Sequence, residues 1–173
     1  YATASPDWRR GETAPNMPNF ATLFRVSVDT DTAAWVHVAG IPGAPASLDA
    51  LVDAPTGDWR AACRDNIATI LASPDWALYM DAVVAGLKAS GYPTSRIVYL
   101  EPWNEVWNAA YPWGSMHHCA LGVYDWSPRG RQLRENVPWP GMLYGYGYLA
   151  GKVMREFDDA LSRAGRTQQW RLP

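Results

Sequence analysis

Apolar and polar positions alternate along this chain in two distinct periods. Trp76, Tyr79, Met80, Val83, Val84 and Leu87 recur at spacings of three and four, which places them on one face of a helix. Ser73-Pro74-Asp75 ahead of them reads as a helix start: serine caps, proline fits the first turn, and aspartate meets the positive end of the helix dipole. Gly91 is placed to stop that helix. Leu143, Tyr146, Ala150, Val153, Phe157, Ala160 and Leu161 repeat the pattern and predict a helix over residues 143–164, ended by Gly165. Asp58 is a cap for a helix over residues 59–71, and Ser47 for a short one reaching Val52.

The second pattern is a short apolar run between turn residues. Ala33-Ala34-Trp35-Val36-His37-Val38-Ala39 is nearly continuously apolar, as a strand buried on both faces should be, and Gly40-Ile41-Pro42-Gly43 ends it. Residues 96–100 predict a second strand, residues 20–28 an earlier one, and residues 168–172 the start of another. Residues 1–19 carry Pro6, Pro15 and Pro18 with little periodicity and read as an irregular lead-in. Residues 109–141, rich in Pro, Gly and Trp, read as one long loop, and loops of that length in a compact domain are usually functional. The order of strand, helices, strand, loop and helix is a βα repeat. It implies an α/β fold with a parallel sheet, whose ligands bind at the carboxyl ends of the strands.

Composition narrows the partners. A chain of 173 residues with 48% hydrophobic and 18% charged residues is globular and fits one domain. Its net charge of −2 offers nothing to nucleic acid or an acidic membrane, and no apolar run nears the roughly 20 residues of a membrane helix. No basic-then-apolar leader opens the sequence. Cys63 falls in a predicted helix and Cys119 in the predicted loop, so two free thiols are expected. Ten tryptophans and nine tyrosines against three phenylalanines favour half-wet surfaces, of which carbohydrate clefts are one kind. For any single tryptophan a place in the core is the commoner outcome. Five of them, Trp103, Trp107, Trp113, Trp126 and Trp139, nevertheless fall in predicted loops.

The chemistry concentrates in Leu100-Glu101-Pro102-Trp103-Asn104-Glu105-Val106-Trp107-Asn108, directly after the apolar Ile97-Val98-Tyr99. Carboxylates supply protons, amides bind hydroxyls, and indoles stack on the apolar faces of pyranose rings. Glycoside hydrolysis needs one carboxyl to protonate the leaving oxygen, and a second carboxylate to attack the anomeric carbon or activate water. Glu105 is the candidate general acid/base; desolvation against Trp103 and Trp107 would raise its pKa. Asn104 is suited to the sugar 2-hydroxyl. Glu101, four residues earlier, points to the same side of an extended segment and reads as a supporting group; pairing with an arginine is the bland alternative. His37, Trp113 and Trp126 are further candidate substrate contacts, although a core or rim position is the commoner role for a histidine such as His37. His117 and His118 beside Cys119 have no other group at ligand spacing, so neither a metal nor another cofactor is expected.

A strand ending in Asn-Glu after a tryptophan resembles the fourth strand of clan A glycoside hydrolases. The longer string Glu-Pro-Trp-Asn-Glu-Val-Trp-Asn looks like a bacterial branch whose strands end in Glu-x-x-Asn-Glu-Val-Trp-Asn. The resemblance covers roughly residues 33–164, and its sharp part is about nine residues. It implies part of a (β/α)8 TIM barrel, the N-terminal half as one partial catalytic domain over residues 1–173. It also implies a retaining mechanism with Glu105 as acid/base, a polysaccharide or oligosaccharide substrate and an extracellular or periplasmic setting. In that family the nucleophile comes from the seventh strand, whereas this chain shows about three, and a complete barrel takes about 250 residues. The chain is therefore expected to belong to a longer one. Alone, it is expected to associate or be poorly soluble, and not to turn over glycosides. Two other readings stay open: a non-catalytic carbohydrate-binding domain using Trp103, Trp107, Trp113 and Trp126 as platforms, and a metal-dependent hydrolase using His117, His118 and a carboxylate.

Overall fold

The structure is a computed structural model that describes residues 19–38, 41–42, 58–103, 114–132 and 138–173. In chain order the described elements are α1 (Phe20–Asp29), β1 (Ala34–His37), α2 (Asp58–Ala72), α3 (Asp75–Ala89) and β2 (Val98–Glu101). They are followed by α4 (Gly114–Trp126), α5 (Pro128–Gln132), α6 (Pro138–Arg163) and β3 (Trp170–Arg171). The residues form two compact units. One is drawn from Tyr1–Ala39, Pro74–Pro102 and Met154–Pro173, the other from Gly40–Ser73 and Trp103–Val153.

The first unit carries the sheet. Its strands lie in the order β1-β2-β3, and both pairings are parallel. Ala34 to His37 stand opposite Val98 to Glu101, and the amide of Val38 extends the ladder by donating to the Glu101 carbonyl at 3.0 Å. The buried hydroxyl of Tyr92 accepts from the Ala34 amide at 2.9 Å and donates to the Ile97 carbonyl at 2.8 Å, tying the starts of β1 and β2 together. All six residues of the predicted apolar face of α3 are buried. At its end Gly91 adopts φ 68°, a conformation open to glycine at no steric cost. The Tyr92 and Gly91 amides then satisfy the carbonyls of Leu87 and Lys88. Ser73 does not cap α3: Pro74 holds the cap position and no side chain caps there.

Three expectations are corrected here. Residues 20–28 form a helix rather than a strand. Asn19 Oδ1 accepts from the Thr22 amide at 2.8 Å, and Phe20, Leu23, Phe24 and Ser27 recur at helical spacing, with Phe24 and Ser27 buried. The strand expected over residues 33–39 is not buried on both faces where it is described. Ala34 and Val36 are buried, Trp35 is exposed and His37 half-buried, so the strand has one open face. The TIM barrel is also overturned. The described residues hold six helices and one three-stranded sheet with strands of four, four and two residues, no eight-stranded barrel. One anticipated strand is a helix and much of the anticipated loop is helical, so the chain spends on helices what a barrel needs as strands.

The second unit is helical. Within the span expected to be a loop, α4 buries Cys119, Ala120, Val123 and Tyr124 at helical spacing. Ser127 breaks it, and its Oγ then accepts from the Gly130 amide at 2.9 Å to open α5. Gly122 of α4 faces the backbone of α2: a Cβ there would lie 2.7 Å from the Arg60 carbonyl oxygen. Gly145 of α6 meets the Ala120 carbonyl of α4 still more closely. The two cysteines are not free thiols; Cys63 of α2 and Cys119 of α4 form a disulfide, with Cα atoms 5.1 Å apart and both residues fully buried. The missed helix at Cys119 is why the pairing was missed: a loop offers no fixed neighbour for Cys63. The expected helix over residues 47–52 lies outside the described residues.

Candidate functional site

The sheet's open face assembles its side chains by period two. Ala34, Val36, Val98 and Leu100 point into the core, so Trp35, His37, Tyr99 and Glu101 point the other way. The parallel register sets Trp35 beside Tyr99 and His37 beside Glu101. The rings of Trp35 and Tyr99 lie 5.7 Å apart with planes inclined at 34°, and Trp35 Nε1 donates to Glu101 Oε2 at 2.8 Å. Among the described residues, Glu101 is held by no arginine, the bland alternative. It is held by an indole, at the carboxyl end of the central strand. Burial pushes the His37 pKa down, and the Glu101 charge partly opposes that shift. The imidazole is thereby kept in the neutral form that can both donate and accept near neutral pH.

Beyond Glu101 the chain turns sharply. Trp103 adopts φ 58°, a left-handed conformation that costs a bulky side chain about 1–3 kcal/mol. It is 3% exposed and meets the edge of Tyr146 at 6.3 Å. Burial of this kind removes Trp103 from the set of open sugar platforms; it can act as a wall but not as a stacking surface. Trp126, at the end of α4, is 39% exposed. Asn104, Glu105, Trp107 and Trp113 lie outside the described residues.

His117, His118 and Asp125 all lie on α4. Asp125 is buried and ion-paired with Arg60. His117 and His118 stand edge-to-face at 5.4 Å, and the His118 pKa is pushed down by burial, by His117 and by Arg60. Among the described residues, no three His, Cys, Asp or Glu side chains converge on a metal position, and the Cys119 sulfur is committed to the disulfide. Trp35 and Tyr99 share this face with His37 and Glu101, and the sequence reading did not single them out as candidates. Their signal was present as the alternation Trp35-x-His37 and Tyr99-x-Glu101; it was obscured because Ala34, Val36 and Val38 made the segment look continuously apolar.

No protein-family model matches the chain, and no curated protein or solved structure matches it either.

Proposed function

We propose that the chain contributes the acid/base half of a glycoside hydrolase acting on oligosaccharide or polysaccharide, with Glu105 as general acid/base and Asn104 as a sugar-hydroxyl ligand. The observation that carries this reading is the strained bend at Trp103. Non-glycine residues in left-handed backbone persist where the surroundings over-determine them, and such positions cluster at functional sites. Here the bend falls between the carboxyl end of the central parallel strand and the Asn104-Glu105 pair. In open parallel sheets that end of the strands is where ligands bind. Glu101, the last residue of that strand, is a carboxylate oriented by an indole. The nucleophile is proposed to lie outside residues 1–173. A disulfide forms and persists in oxidising surroundings, so the Cys63–Cys119 bond favours a secreted or periplasmic location. The non-catalytic carbohydrate-binding alternative loses one of its four platforms, since Trp103 is buried.

The test is leaving-group dependence in the longest natural polypeptide that carries this sequence. Glu105→Gln should cut kcat/KM for aryl glycosides with poor leaving groups by about 10²–10⁴-fold. It should affect 2,4-dinitrophenyl glycosides, which leave without protonation, far less. Equal turnover by parent and variant on both substrates overturns the proposal.

A further inference from the structure

We infer that the open face of the sheet is a sugar-binding subsite, with Trp35 as stacking platform and Glu101 as hydroxyl acceptor, selective for neutral pyranosides over uronic acids. It deepens the glycosidase reading and rests on it for the substrate class, but it is built from residues separate from Glu105.

Trp35 is 56% exposed, yet it is not a loose surface side chain. Its indole edge is fixed by the hydrogen bond to Glu101, and one flank lies along Tyr99. What stays open is a flat, apolar ring surface of defined orientation, at little further entropic cost on binding. A pyranose presents an apolar C–H face of matching size, with hydroxyls around its rim. Glu101 offers those hydroxyls an acceptor: its Oε2 is taken by the indole, and its other oxygen makes no hydrogen bond among the described residues. His37, in register with Glu101 on the same face, adds an imidazole beside it. Selectivity follows from charge. A carboxylate at the platform's edge repels a uronate and leaves a neutral sugar unaffected. Four residues on two adjacent strands build the whole arrangement, so their mutual placement is set by ladder register rather than by a loop.

Binding is read on the full chain carrying Glu105→Gln, so that hydrolysis does not interfere, by tryptophan fluorescence and calorimetry. The probes are cellohexaose, xylohexaose and mannohexaose, with hexagalacturonate as the acidic counterpart. At least one neutral hexasaccharide should bind. Trp35→Ala should weaken it about tenfold, as expected for loss of one aromatic stacking contact, while Trp35→Phe retains most of the affinity. Glu101→Gln should weaken the neutral sugar several-fold and improve hexagalacturonate. Circular dichroism and thermal melting confirm that the variants are folded; Trp35→Phe carries the comparison if the alanine variant is not. The inference is overturned if no neutral probe binds, if Trp35 variants bind as the parent does, or if hexagalacturonate binds as well as the neutral sugars. Trp35-dependent binding with turnover indifferent to Glu105 would keep the subsite and sink the glycosidase. The reverse pattern would keep the glycosidase and sink the subsite.

Discussion

In the sheet-bearing unit, distant segments are tied by polar side chains reaching backbone. Tyr92 bridges the Ala34 amide and the Ile97 carbonyl. Arg96 donates to the Ser27 carbonyl at 2.9 Å, pairs with Asp31 and lies over the Tyr92 ring. In the helical unit the ties among the described residues include a buried disulfide, the close glycine contacts at Gly122 and Gly145, and the Arg60–Asp125 pair. A parallel sheet fixes its own register, and a few hydrogen bonds suffice to anchor the turns around it. Helices have no ladder between them, so they need close approach or a covalent bond to fix their spacing; in the sheet-bearing unit Gly86 of α3 meets Phe20 of α1 in the same way.

The largest break in this comparison should come from the disulfide. Replacing Cys63 and Cys119 together by serine, or reducing the bond, releases a crosslink between residues 56 apart in sequence. It should cost about 4 kcal/mol on the loop-closure account. Native-state hydrogen exchange should show the loss mainly in α2 and α4. An equal loss of protection across α1, α3 and β2 would mean that the two units do not differ in the way described.

Tyr92→Phe is the counterpart in the sheet unit and should be smaller, at about 2 kcal/mol. It leaves a buried Ala34 amide without its acceptor. Denaturant melts should register the cost, and exchange should rise first at Ala34 and Val98. No change in either would remove Tyr92 as the clamp of β1 on β2.

The smallest effects are protonic. His37 and His118 both have pKa values below the ordinary 6.5. Below pH 6.5 the unfolded chain takes up protons that the folded imidazoles resist. Each residue's contribution is therefore fully present above that pH and is lost as the pH falls towards its depressed folded value. The neighbours act with opposite sign. Glu101 raises the His37 value, whereas Arg60 lowers that of His118. Glu101→Gln should move the His37 titration to still lower pH, and Arg60→Gln should move that of His118 upward, both followed by NMR of the imidazole C–H signals. No shift at either imidazole would show that burial alone sets both.

Local periodicity was enough for α3, whose predicted apolar face is buried in full, and for the final part of α6, where Val153, Phe157 and Ala160 are buried. It failed at α1, because Phe20–Val28 reads equally as an apolar strand. It failed again at α4, where adjacent histidines, Gly122 and a bounding Ser-Pro disguised a helix that buries Cys119, Ala120, Val123 and Tyr124. In both cases the deciding contact is remote in sequence: Tyr92 against Phe24 for α1, and Cys63 against Cys119 for α4.

The candidate site divides in the same way. The sequence by itself determined the chemistry offered from the end of β2 onward: two carboxylates, two amides and two indoles in nine residues, at the exit of a short apolar run. Residue identity and local spacing are sufficient for that. Only the tertiary structure decided that Trp103 turns inward as a wall, that Trp35 turns outward, and that Glu101 is held by an indole on a neighbouring strand. The physical reason is that burial and hydrogen-bond partnership depend on what lies across the sheet. The register that brings residue 35 to residue 99 and residue 37 to residue 101 is a property of two strands together, and neither strand encodes it alone.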